Sequence, residues 1–170
     1  VCSSDLMTSA KYESFAIVPP NTERSILAVT SLMLSKALFE NIREKETQTY
    51  DINCKWIFNG EARWVEIGCG SFDLNYYDKI IDKIRDVIEN ITDDEVLFQS
   101  VCKKLISSLP MTELVNTDIV VNASKEIVLY DKIVTFREDI DAFKSIKMED
   151  VQNVLQYMKG NFLFHVLSKP

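Results

Sequence analysis

LFENIREKETQTYDINCKW, residues 38–56, changes character halfway along. It opens with good helix formers, passes through the charged run Arg43-Glu44-Lys45-Glu46, and ends with apolar and polar residues in alternation. Tyr50, Ile52, Cys54, Trp56 and Phe58 share one side of this last part, and Asp51, Asn53 and Lys55 share the other. A period of two is the signature of a half-buried β-strand. The stretch therefore reads as a helix exit followed by a strand entrance, with Arg43 on the first and Tyr50 on the second.

Working outward, the helix that ends here begins near Glu23. Ile26, Val29, Met33 and Ala37 form one stripe, and Leu27, Leu34, Leu38 and Ile42 form its neighbour. An apolar surface that wide predicts a largely buried helix packed on a sheet. Before it, Ser14–Val18 (SFAIV) predicts a short strand stopped by Pro19 and Pro20. After it, Asn59-Gly60 supplies two residues that tolerate positive φ, the strongest short signal for a hairpin. The return strand carries Val65, Ile67 and Cys69 on one side, Trp64 and Glu66 on the other.

A second helix is predicted over Leu74–Asn90, where Leu74, Tyr77, Ile81, Ile84, Ile88 and Ile91 recur at spacings of three and four. Thr92 to Glu95 matches a capping box that starts a third helix, with Pro110 as its end. Further helices are expected at about 112–130 and 136–143. The last, Met148–Lys159, stops at Gly160, before the strand NFLFHVL (Asn161–Leu167). Strands of mixed direction among these helices predict an α+β fold, a mostly antiparallel sheet with helices packed on one face. The hairpin Tyr50–Phe72 and the final strand should share that sheet.

Residues 14–170 are expected to form this single domain, and residues 1–13 a disordered or artefactual tail. The opening VCSSDL has neither the basic start nor the apolar middle of a signal peptide. It resembles translated sequencing-adapter sequence, in which case the natural chain starts further upstream.

Composition narrows the function. The 170 residues are 46% hydrophobic, enough for one real core, and only four are Gly and four Pro. A net charge of −7, with no basic stripe, argues against a nucleic-acid partner. Uninterrupted apolar runs are only a few residues long, so no membrane span is expected. Cys2, Cys54, Cys69 and Cys102 have no C-x-x-C spacing; Cys54 and Cys69 could face each other across the hairpin, but buried free thiols are the simpler expectation. The single histidine, His165, lies in an apolar strand-like run and reads as a core residue.

One histidine cannot build a zinc-protease site, and no nucleophile elbow, P-loop or G-x-G-x-x-G is present. Gly68-Cys69-Gly70 falls inside a strand pattern, where it suggests a bulge or a close backbone approach. The carboxylates lie mostly on wet helix faces. The chain is thus expected to contain no catalytic residue and no metal ligand of its own.

ALFENIREKETQTYDINCKW (Ala37–Trp56) and SIKMEDVQNVLQYMKGNFLFHVLSKP (Ser145–Pro170) together resemble the pitrilysin/insulysin zinc metallopeptidases, which include mitochondrial processing peptidase. The likeness covers about Ser14 to Pro170. It implies a non-catalytic C-terminal domain, whose partners are a peptide substrate and a zinc-bearing N-terminal half, in the same protein or in a homologous subunit. Zinc would sit in that half, with no cofactor in this chain. Arg43 and Tyr50 match the family's Arg and Tyr, which reach the substrate across the cleft. Where the family often has Gly between them, this chain reads Lys45 to Thr49 without one. On the residues alone, Arg43 also suits a helix C-terminus and Tyr50 a packed strand face. The alternative function is a domain of an inactive homologue that serves as a structural partner of an active one.

Overall fold

Among the described residues four antiparallel strands form one sheet: β1 (Ser9–Ile17), β2 (Asp51–Phe58), β3 (Arg63–Asp73) and β4 (Phe162–Ser168), in the order β2-β3-β1-β4. The computed structural model describes residues 9–44, 51–58, 63–112, 120–121, 123–124, 126–128 and 131–168. Its helices are α1 (Arg24–Leu38), α2 (Tyr77–Ile91), α3 (Glu95–Thr112), α4 (Phe136–Ser145) and α5 (Met148–Gly160). A 3-10 turn, Leu74–Tyr76, leads into α2.

The hairpin forms as expected. Ile52 lies opposite Cys69, Cys54 opposite Ile67 and Trp56 opposite Val65, so the alternating residues of both strands share one face. Ser14 and Ala16 of β1 extend the same rows beside Ile67 and Val65. Ser14, Ala16, Ile52, Val65, Ile67 and Cys69 are all buried under the helices. Because Ser14 and Ala16 are small, α5 can settle against β1. The Ser14 hydroxyl is buried with no hydrogen-bond partner among the described residues. An unpaired buried hydroxyl costs free energy, so Ser14→Ala should raise unfolding free energy by about 1 kcal/mol, as read from urea denaturation.

Helix α1 is the centre of the helical layer and touches β2, α2, α3, α4 and α5. Leu27, Val29, Met33, Leu34 and Leu38 have no exposed surface. Thr30 and Ser31 are buried too; their hydroxyls donate to the carbonyls of Ile26 (2.8 Å) and Ala28 (3.2 Å), which makes a helix with polar residues tolerable in a core. Counting these residues in, Arg24–Ile42 has the length and apolarity to cross a membrane, although its uninterrupted apolar runs are short. Here 56% of that apolar window is buried inside the fold, as befits a core helix.

Arg24, at the start of α1, ties down two later segments. Its guanidinium binds Glu126 at 2.7 Å and also Asp139 of α4, while the second Glu126 oxygen accepts the Val134 N–H at 2.8 Å. Burial opposes the Arg24 charge, but the bonds and charges of its two carboxylates outweigh it and hold its pKa above the usual value.

Several boundaries differ from the sequence reading. β1 starts at Ser9, so residues 9–13, expected in the tail, belong to the sheet. It is a central strand, paired from Ala10 onward with both β3 and β4, and pairing on two sides overrides weak local propensity. Asp94, not Thr92, caps α3: its carboxylate accepts the Leu97 N–H at 2.9 Å, while the Thr92 hydroxyl turns back to the Ile88 carbonyl at 2.8 Å. Helix α3 continues to Thr112, past Pro110. Proline has no N–H for the carbonyl four residues back, so the helix loses one bond near its end and runs only two residues further.

A capping box starts α4. Glu138 accepts the Thr135 N–H at 2.7 Å and returns its own N–H to the Thr135 hydroxyl at 3.2 Å. The Thr135 amide, then its hydroxyl, hold the Glu138 carboxyl below the usual range. Of the helix expected over 112–130, residues 120–121, 123–124 and 126–128 are described and helical. The Asn59-Gly60 turn lies outside the described residues.

Candidate functional site

The helix exit read from the sequence is not an ordinary one. After Leu38 the chain widens into a π-helical segment, Phe39–Glu44, before β2 begins at Asp51. This segment packs against β2 and α2, anchored by Ile42, which is 2% exposed. Asn41 reinforces it from within, its side-chain amide donating to the Ala37 carbonyl at 2.8 Å. The backbone of Arg43 therefore sits in a π turn beside an edge strand of the sheet. The Arg43 side chain and the whole of Tyr50 lie outside the described residues.

Strand β2 pairs only with β3 among the described residues. On the helix-free face, Lys55 binds Glu66 at 2.8 Å across the two strands. Beside that pair, a Cβ on Gly68 would come within 3.1 Å of the Asn53 amide oxygen, the close approach that the Gly-Cys-Gly stretch suggested. The β1–β3 register also shifts between the pairs Tyr12–Cys69 and Ala10–Phe72, so a bulge adjoins the same glycines.

Cys54 and Cys102 are free thiols. Cys54 pairs with Ile67 and Cys69 with Ile52, so the two are diagonal neighbours on the hairpin and not directly opposed. Burial, reinforced by the Glu66 charge, pushes the Cys54 thiol well above its usual pKa; burial and Glu95 raise Cys102. Among the described residues no three His, Cys, Asp or Glu groups converge as metal ligands. Strand β4 sets the His165 backbone opposite Glu13, and the His165 side chain lies outside the described residues.

No protein-family model and no curated protein matches the sequence. Solved structures do match. The "peptidase M16 inactive domain" from Pseudomonas fluorescens superposes with a TM-score of 0.72 over 95% of this chain, at 11% identity, and 43% of that chain is covered. The "inactive peptidase domain" of a Bordetella parapertussis protein gives 0.77 over 96% of this chain and 92% of that one, again at 11% identity. The chain has the fold of an M16 peptidase domain. A third structure, the periplasmic protease PqqL from Escherichia coli, matches over 96% of this chain at 14% identity and a TM-score of 0.75, but over only 19% of its own length.

The three superpositions each cover at least 95% of this chain, which is an α+β fold of the M16, or pitrilysin-type, kind. Against the longer M16-type structures this chain spans about a fifth to two-fifths of the length, the size of one unit among several. Sequence reasoning missed the π turn. Its signal was Asn41, a residue that bonds nearby carbonyls and favours interruptions, placed beside Ile42 where the apolar stripe ends.

Proposed function

We propose that this chain is a non-catalytic C-terminal domain of a pitrilysin/insulysin-like zinc metallopeptidase, which binds peptide and completes the active site of a zinc-bearing half. The observation that supports it best is the match to an inactive peptidase domain across nearly the full length of both chains. The donor set supports the non-catalytic part: with one histidine in the whole sequence, zinc does not fit here as it would in a protease site. It belongs to the partner half. Arg43 and Tyr50 would then meet the peptide from the edge of this domain where α1 gives way to β2.

The missing glycine between Arg43 and Tyr50 favours a second reading, a domain of an inactive processing-peptidase-like homologue that acts as a structural partner. One experiment separates the two. The purified chain should hold no equimolar zinc by elemental analysis and cleave no peptide alone. Added to its zinc-bearing half, prepared without this domain, it should restore peptide turnover. Tight equimolar zinc would sink the non-catalytic reading, and stable association without turnover would decide for the structural partner.

A further inference from the structure

We propose that Asn41 is a positioning residue, which keeps the exit of α1 in its widened π form and so sets the backbone from which Arg43 departs. The inference rests on the reading of Arg43 as a cleft residue. π turns are rare and occur disproportionately at functional sites, and this one has an identifiable local cause. The α-helical ladder is intact as far as Phe39, whose N–H reaches the Ser35 and Lys36 carbonyls. Two residues later the Asn41 amide takes hold of the Ala37 carbonyl, and the widened segment spans this point. A side chain inserted into the backbone ladder is a recognised way to bend or open a helix.

The far end of the turn is fixed as well. Ile42 is buried where the segment meets β2 and α2, so the turn cannot relax by swinging outward. With both ends held, the number of residues in the turn decides the direction in which residue 43 leaves. In a regular helix one residue of phase is about 100°. Closing the π turn to an α turn would therefore redirect Arg43 without unpacking the core.

The same chain shows that a bond to the carbonyl four residues back is not enough by itself. Thr30 makes that bond with its hydroxyl, to Ile26, and the backbone around it stays regular, while Thr92 and Asn161 make it just past the ends of α2 and α5, where no helical turn follows to be widened. The Asn41 amide is one bond longer and planar, and it reaches the same kind of carbonyl across a wider turn. This difference provides the test. Asn41→Thr keeps a donor for Ala37 but in the geometry that Thr30 and Thr92 use.

The variant is made in the protein carrying both halves, beside Arg43→Ala. Asn41→Thr should leave the melting temperature and KM close to the parent, lower kcat about tenfold, and show an α turn over Phe39–Glu44 in a crystal or NMR structure. The loss of a mere local stabiliser would instead lower the melting temperature and leave kcat and the π turn as they are. Full turnover in Asn41→Thr while Arg43→Ala loses turnover, or a π turn that persists in Asn41→Thr, would overturn the role of Asn41 and leave that of Arg43 standing. Full turnover in Arg43→Ala would remove the cleft reading itself, and the inference with it.

Discussion

Tyr50→Phe lowers peptide turnover about a hundredfold in the assembled enzyme and leaves its melting temperature almost unchanged: this is the result expected if Tyr50 donates to the scissile carbonyl. The substitution deletes one hydroxyl and keeps the ring, so packing is conserved while a hydrogen-bond donor disappears. A donor aimed at a developing oxyanion acts mainly in the transition state, so its loss falls on kcat more than on KM. Removing one such donor typically costs roughly 3 kcal/mol, on the order of a hundredfold in rate. Arg43→Ala should lower turnover in the same direction, because a guanidinium offers several donors to a peptide backbone or to the tyrosine. Turnover and melting temperature have to be measured on the same preparations. Unchanged turnover in both variants would make them structural residues. Lost turnover together with a melting temperature many degrees lower would also count against the cleft role, since it would trace the effect to packing.

Much of this arrangement was legible in the sequence because two periodicities meet inside residues 38–56. Alternation fixed the hairpin faces, and Ile52, Val65, Ile67 and Cys69 are buried on one of them as that pattern requires. The double stripe on α1 made it the core helix, and it touches α2, α3, α4 and α5. What escaped was whatever depends on partners distant in sequence or on one local bond. Residues 9–13 look unremarkable alone and become strand because β3 and β4 flank them. The α3 cap moved from Thr92 to Asp94 because Thr92 was already closing α2. The bonds from Arg24 to Glu126 and Asp139 join residues more than a hundred positions apart, which no local pattern encodes. At the candidate site, the sequence showed that a helix ends near Arg43 but not that it ends as a π turn. That depends on the Asn41 amide and on Ile42 being held in the core.

Leu34→Ala should be among the most damaging single truncations in the domain. Leu34 has no exposed surface and lies on the helix that links the sheet to α2, α3, α4 and α5. Cutting a buried leucine to alanine removes apolar transfer energy and leaves a cavity, and the surroundings can collapse only partly when they belong to several different elements. The expected loss is roughly 3–4 kcal/mol, a large share of the 5–15 kcal/mol or so that holds an ordinary domain together. In a chain of this size that corresponds to a melting temperature lower by about 10 °C. Val96→Ala supplies the contrast, because Val96 is 82% exposed and its truncation should change stability by less than about 0.5 kcal/mol. The comparison also bears on the site. The π turn continues directly from α1, so loosening α1 at Leu34 should disturb the turn as well as the core. Leu34→Ala should therefore speed amide exchange over Phe39–Glu44, and Val96→Ala should not. Equal losses of stability in the two variants would contradict α1 as the centre of the core, and unchanged exchange in Leu34→Ala would separate the turn from the helix that carries it.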